Sequence, residues 1–261
     1  MNTKDNKFIN QFLKNGYIKT KINNLKALNS IRDNIIKVIK KSLNNIDINE
    51  NKILDEIHKY IEIENLNEFR LNIFHKLNSQ KSFRENYYEI AREYLDIIVG
   101  NELVMQNKVN LSIQLPNDDS SLLPIHSDTW QGDSPFEVVV WLPLVKCYKT
   151  KSMFIMKPKK SNNLYKNFKN LKKQTNQQIF KKFKNDLDWV KINYGEVLIF
   201  NQSLPHGNVV NTEKETRWSM NCRFKSLFSP YGEKKLGEFF EPVSIKPASI
   251  IGISYKDPNH D

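Results

Sequence analysis

Cysteine is nearly absent: Cys147 and Cys222 are the only two in 261 residues. Two cysteines cannot build a disulfide framework or an all-cysteine zinc site, and their scarcity fits a reducing compartment. Both read as small buried hydrophobes. Long hydrophobic runs are missing too. The longest, Val138 to Val145, is far too short to cross a bilayer, and the opening MNTKDNKFIN lacks the continuous apolar core of a signal peptide. The expectation is a cytoplasmic protein with no membrane span. There is no zinc-finger, RNA-recognition or basic-zipper signature, and no internal repeat.

Acidic residues are outnumbered, 29 against 40 lysines and arginines, for a net charge of +11. Such a balance suits nucleic acid, a membrane surface or an anionic substrate. The excess is almost all lysine interleaved with asparagine, a bias that codon composition produces as readily as function. Without a recognition motif, nucleic acid is a disfavoured partner, and a small-molecule substrate, either anionic or nucleotide-linked, is the expected one. No sequence feature sets an oligomeric state. Hydrophobic residues at 39% and aromatics at 11% are those of a folded chain. At this length a single domain over 1–261 is expected.

Within it, 1–100 reads as mainly helical. FINQFLKNGYIKTKI is a short helix and a strand punctuated by Gly16, while LKALNSIRDNIIKVIKKSL, ILDEIHKYIEI and FRENYYEIAREYLDIIV carry apolar residues at helical spacing. Over 101–230 the pattern changes to short β-branched or aromatic runs: KVNLSIQLP, LLPIHSD, FEVVVWLPLV, SMFIMKP, GEVLIFNQ and TRWSMNCRFKSLF. Short strands separated by turn residues predict a sandwich or barrel. Residues 231–261 form a C-terminal extension. An insertion, 157–186, interrupts the strands with ten lysines and one acidic residue. Leu164, Phe168, Leu171, Ile179 and Phe183 give it a weak apolar face, so it is either a solvated helical insertion or a basic overhang that attracts an anionic substrate.

The chemistry concentrates in LPIHSDTWQGDSPFEVVVWLPLV. His126 and Asp128 lie two apart, and on extended backbone such side chains project to the same face, an imidazole beside a carboxylate. GEVLIFNQSLPHGN supplies His206 just beyond another strand. Two histidines and one carboxylate make a facial triad with open positions, the arrangement of non-haem Fe(II) oxygen chemistry rather than of a closed structural zinc site. The histidines at 58, 75 and 260 read as structural or surface residues.

Eleven residues after His206, TRWSMNCRF alternates Arg217, Ser219, Asn221 and Arg223 with Trp218, Met220, Cys222 and Phe224. One face is polar, as expected of a strand lining a site. Arg217 with Ser219 can anchor a carboxylate through the planar guanidinium fork. Arg223 is the substitute anchor or a substrate contact. Gln114 either bonds the co-substrate or braces its strand. Asn208 either orients the co-substrate or caps a turn, and Trp130 either stacks on a sugar ring or closes the barrel mouth.

These residues, in this order, resemble the H-x-D…H…R pattern of the Fe(II)- and 2-oxoglutarate-dependent oxygenases. FLKNGYIKTKI resembles the start of their phytanoyl-CoA hydroxylase-like branch. IHSDTWQGDSPFEVVVWLPLV and HGNVVNTEKETRWSMNCRF resemble bacterial members associated with surface-carbohydrate gene clusters. The resemblance implies an α+β fold, a double-stranded β-helix (jelly-roll, cupin-like) core with N-terminal helices packed on it. It further implies iron held by His126, Asp128 and His206, 2-oxoglutarate held by Arg217, O2 as oxidant, and hydroxylation of a sugar, nucleotide-sugar or surface-glycan precursor. Asp128 argues against a halogenase, whose carboxylate position is vacant. The competing expectation is a cupin-like metal-dependent isomerase or binding protein without oxygen chemistry.

Overall fold

Apolar residues at helical spacing organise the first hundred residues into a layer that backs a large sheet. In the computed structural model, which describes residues 3–44, 49–171, 173–256 and 258, α1 (Thr3–Asn15) leads into β1 (Tyr17–Lys21) through Gly16. Gly16 has φ +71°, a left-handed conformation that favours glycine, so the turn requires it. Next come α2 (Leu25–Ser42), α3 (Ile53–Glu56), α4 (Ile63–Asn78) and α5 (Lys81–Ile98).

Helix α2 buries Leu28, Ile31, Ile35 and Ile39 as one stripe, is capped by the Asn24 side chain, and places Lys40 and Lys41 in its last turn. The cap satisfies an orphan N–H and the lysines oppose the helix dipole. Helix α5 is tied to the sheet system by hydroxyls: Tyr87 donates to Val140 O at 2.9 Å and Tyr94 to Lys21 O at 2.8 Å. The helix α4 was not among the sequence expectations. Its apolar positions, Leu66, Phe69, Ile73 and Leu77, have helical spacing and are buried, but the asparagines and glutamates between them dilute the pattern.

The strands are β2 (Leu103–Gln106), β3 (Asn110–Gln114), β4 (Val138–Pro143), β5 (Phe154–Ile155), β6 (Asp188–Trp189), β7 (Glu196–Asn201), β8 (His206–Gly207), β9 (Arg217–Ser226) and β10 (Phe240–Ser244). A seven-stranded sheet runs β1-β7-β4-β9-β2-β10, with β3 also paired to β9, and a three-stranded sheet runs β6-β5-β8. All named pairings are antiparallel. The large sheet thus takes β1 from the helical portion and β10 from the C-terminal extension.

Alternation along β9 separates two environments. Trp218, Met220, Cys222 and Phe224 are fully buried in the core shared with the helices. Trp218 meets Phe69 edge to face with ring centroids 6.3 Å apart. Arg217, Ser219, Asn221 and Arg223 point the other way and line a cavity. Both cysteines are buried and free; burial pushes the Cys147 thiol up to about 12, which leaves it inert.

The insertion folds as α6 (Pro158–Lys166), α7 (Phe168–Leu171) and α8 (Asn176–Phe183), the last opened by a Thr175–Gln178 capping box. Leu164, Leu171, Ile179 and Phe183 form a small core with Ile125, Phe154 and Met156. After β10 the chain forms α9 (Pro247–Ser254), which buries no residue. Among the described residues no helix is long and apolar enough to cross a membrane.

Candidate metal centre

His126 and His206 are brought together by backbone pairing. Each donates its N–H to the other's carbonyl, at 2.9 Å and 2.8 Å, in an isolated antiparallel bridge. The imidazoles consequently stand side by side with ring centroids 4.3 Å apart. The His126 and Asp128 pair was expected on a strand; the structure gives only this bridge, after which Asp128 opens a short 3-10 turn, Asp128–Gln131. Ser127 between them is extended, φ −128° and ψ 137°, so the two side chains still share a face. Ser127 itself points away, fully buried, its hydroxyl 3.2 Å from Gln202 O and 3.1 Å from Ser203 O.

The ligand atoms of His126, Asp128 and His206 lie within 4.8 Å of one another, the described group able to hold a metal ion. The hydrogen bonds decide the tautomers. Nδ1 of His126 lies 2.7 Å from Pro124 O, and Nδ1 of His206 lies 2.8 Å from Leu204 O. A carbonyl only accepts, so each Nδ1 carries the proton and each Nε2 presents a lone pair. Burial, with His126 beside it, pushes the His206 imidazole down to about 4, which keeps it neutral and able to bind metal. Two Nε2 atoms and a carboxylate oxygen fit a facial triad for iron.

Gly207 follows the distal histidine for a steric reason. A Cβ there would lie 2.5 Å from Leu123 O and 2.9 Å from both Pro124 O and Phe154 Cζ. The segment that carries His126 therefore packs directly on this glycine.

Asp128 has a second partner. Arg223 Nη2 lies 2.9 Å from Asp128 Oδ1 and 3.3 Å from Asp133 Oδ2, and Lys234 Nζ lies 2.7 Å from the same Asp133 oxygen. Phe239 caps this group, its ring 5.7 Å from the Arg223 guanidinium and 4.7 Å from Lys234 Nζ. Arg223 is therefore placed to hold Asp128. Asp133, Lys234 and Phe239 carry no motif that sequence reasoning recognises, because their meeting depends on the C-terminal extension folding back. Nearby, Gln202 donates to Glu137 Oε2 at 2.8 Å, and burial pushes the Glu137 carboxyl up.

A cavity of about 240 Å³ joins the triad to β9 and β3. Its walls include Val139, Trp141, Met153 and Phe200 on the apolar side and Ser112, Asn208, Arg217 and Ser219 on the polar side. Arg217 is 3% exposed. Its Nη2 donates to Ser112 Oγ at 3.0 Å, its Nε has no partner, and among the described residues no carboxylate lies within ion-pair distance of it. Burial pulls the guanidinium down to about 10. Ser219 sits opposite Ser112 across the β3–β9 ladder, so it flanks the same pocket.

Gln114 stands behind this cavity rather than in its wall. It is fully buried, donates to Val209 O at 2.8 Å and accepts from Asn208 Nδ2 at 3.4 Å. Its side chain thus meets Asn208, which lines the cavity and also accepts from the Leu123 N–H, pinning the loop that precedes His126. Trp130 leaves the 3-10 turn toward the insertion, its ring 4.9 Å from that of Phe168. His58 lies apart, with Nδ1 2.9 Å from Thr216 Oγ1. His75 is on α4 against Phe74, and His260 lies outside the described residues.

No protein-family model matches the chain, and no curated protein matches it. Solved structures do. HygX from Streptomyces hygroscopicus with nickel and 2-oxoglutarate bound is 12% identical, with TM-score 0.52 over 90% of each chain. AviO1 from Streptomyces viridochromogenes Tue57 is 12% identical, with TM-score 0.51 over 88% of this chain and 98% of that one. The non-heme monooxygenase ThoJ as its nickel complex is 12% identical, with TM-score 0.50 over 92% of this chain and 84% of that one. At this identity the likeness establishes a shared fold.

Proposed function

We propose that the chain is a non-haem Fe(II)- and 2-oxoglutarate-dependent oxygenase that hydroxylates a small molecule such as a sugar, nucleotide-sugar or surface-glycan precursor. The observation that carries this reading is Arg217: a buried guanidinium with no carboxylate partner among the described residues, lining the cavity that also holds the triad. A cation left unpaired in such a place is costly, and an incoming carboxylate offsets that cost. A cupin-like isomerase has no use for such an anchor.

His126, Asp128 and His206 would hold iron through two Nε2 atoms and a carboxylate oxygen. Arg217, with Ser112 and Ser219, would hold the remote carboxylate of 2-oxoglutarate. The bound iron and co-substrate supply the oxidising chemistry, in which O2 converts 2-oxoglutarate to succinate and CO2 and a substrate C–H becomes an alcohol. The protein's share is positioning and exclusion of water. Pro124 and Leu204 carbonyls fix the imidazole tautomers, Arg223 restrains Asp128, and Val139, Trp141 and Phe200 keep the cavity dry.

The fold shared with HygX, whose structure has nickel and 2-oxoglutarate bound, supports the reading, as does the order of motifs in the sequence. We read the two sheets as a double-stranded β-helix and the opening segment as that of the phytanoyl-CoA hydroxylase-like branch. The test is uncoupled turnover: purified protein with Fe(II) and 2-oxoglutarate in air, assayed for succinate. The reading expects slow, iron-dependent succinate formation that is lost in His126→Ala and His206→Ala. Tight zinc binding with no affinity for 2-oxoglutarate would refute it in favour of the cupin-like alternative.

A further inference from the structure

A second recess also reaches the metal ligands. Its volume is about 460 Å³, and it shares Leu123, His126 and Asp128 with the cavity of Arg217. Its remaining walls come from the 3-10 turn, through Trp130 and Gln131, and from the insertion, through Phe168, Gln174, Asn176 and neighbouring apolar residues. Another groove, beside Arg70 of α4, adjoins the central cavity at Asn110, Ser112 and Asn221 but touches none of the three ligands. A substrate whose carbon must approach the metal is served by the recess that includes His126 and Asp128.

The lining chemistry is specific. Although the insertion has ten lysines, none of its described lysines lines the recess. Lys159, Lys166, Lys169, Lys173, Lys181, Lys182 and Lys184 are exposed, while Lys157 and Lys160 pair with Asp188 and Asp186 at 2.9 and 2.8 Å. The ionisable groups in the wall are His126 and Asp128 themselves. Among the described residues, a phosphate placed here would find no lysine or arginine in the wall to compensate its lost hydration. Gln131, Gln174 and Asn176 instead offer carboxamides, each both donor and acceptor, the match for hydroxyl groups that also do both. Trp130 and Phe168, with ring planes inclined by 51°, add an aromatic wall for the C–H face of a ring.

We infer that this recess is the substrate subsite and that it takes an uncharged polyhydroxylated ring, a carbohydrate or glycoside without a phosphate group. The inference rests on the oxygenase reading for the role of the metal, but the binding site stands on its own lining. It also gives the insertion a function: its apolar face and amides recognise the substrate, and its described exposed lysines lie outside the recess.

The experiment is saturation-transfer NMR on the apoprotein with a panel of methyl glycosides and small neutral oligosaccharides, alongside the same sugars as 1-phosphates and uridine-diphosphate conjugates. Neutral sugars should give transfer that salt leaves unchanged. It should weaken at least tenfold in Trp130→Ala and in Gln174→Leu, a lip substitution that spares the small core, and persist in Lys181→Ala/Lys182→Ala. Each variant is checked for native melting. Preferential binding of the phosphorylated sugars, dependence on Lys181 and Lys182, or no binding by any sugar would overturn the inference. If sugars bind but iron-loaded protein fails to bind 2-oxoglutarate, the subsite survives and the oxygenase reading falls. Binding of 2-oxoglutarate with no sugar binding does the reverse.

Discussion

Replacing Arg217 with methionine separates what the arginine costs the fold from what it gives a ligand. Burial lowers the guanidinium from 12.5 to about 10, which at ~1.36 kcal/mol per tenfold corresponds to roughly 3 kcal/mol of strain on the charged form. The bond to Ser112 Oγ returns about 1 kcal/mol. Methionine fills similar space and needs no partner, so the apoprotein should gain on the order of 1–2 kcal/mol, a rise in melting temperature of about 2–6 °C for a chain of this size. Binding of 2-oxoglutarate should move the opposite way. Two charge-assisted hydrogen bonds contribute roughly 1.5–3 kcal/mol each, so their loss weakens affinity by about 100-fold or more. Differential scanning calorimetry of the apoprotein and isothermal titration of nickel-loaded protein with 2-oxoglutarate read the two effects. Unchanged affinity, or a melting temperature lower by several degrees, would refute the reasoning.

Three further changes probe other parts of the structure. Gly207→Ala drives a Cβ onto the Leu123 and Pro124 carbonyls; overpacking of about 1–3 kcal/mol should lower the melting temperature and weaken nickel binding, measured by competitive chelation. Lys151 is fully buried between Asp55 and Glu215, the latter at 2.7 Å. The double change Asp55→Asn/Glu215→Gln strands its ammonium and should cost about 3–5 kcal/mol in urea denaturation. Burial raises the Glu137 carboxyl above its usual 4.5, so the unfolded chain releases this proton first. Its contribution to stability is therefore full below pH 4.5 and lost as pH rises through the folded-state value. Denaturation of Glu137→Gln between pH 4 and 8 should show a flatter profile than the wild type, and an unaltered slope would remove Glu137 as its source.

Periodicity made much of this molecule legible in advance. The alternation of TRWSMNCRF identified which face of β9 meets the helices and which meets the cavity, because strand geometry leaves a period-two pattern little freedom. The two-residue spacing of His126 and Asp128 likewise placed both side chains on one face, although the backbone there is a bridge and a 3-10 turn. The helix stripes of α2 and α5 were equally plain. Other features had no local signal. Strands β6 and β8 are two residues long, too short for any pattern to emerge. Lys234 and Asp133 lie 101 positions apart, and their meeting beside Arg223 depends on tertiary folding alone. Gln114 read equally as a co-substrate contact or a strand brace, and its meeting with Asn208 and Val209 behind the cavity had no local signal. Lysine count suggested an anion site in the insertion, but only the structure could show that none of its described lysines lines the recess.

The most direct test of the central claim is an anaerobic titration of the apoprotein with Fe(II) and then 2-oxoglutarate, following the visible metal-to-ligand charge-transfer band. The account predicts a band in the wild type, none in His126→Ala, and one in Arg217→Met only at far higher 2-oxoglutarate. Folded wild-type protein that binds Fe(II) but develops no band on adding 2-oxoglutarate would contradict it.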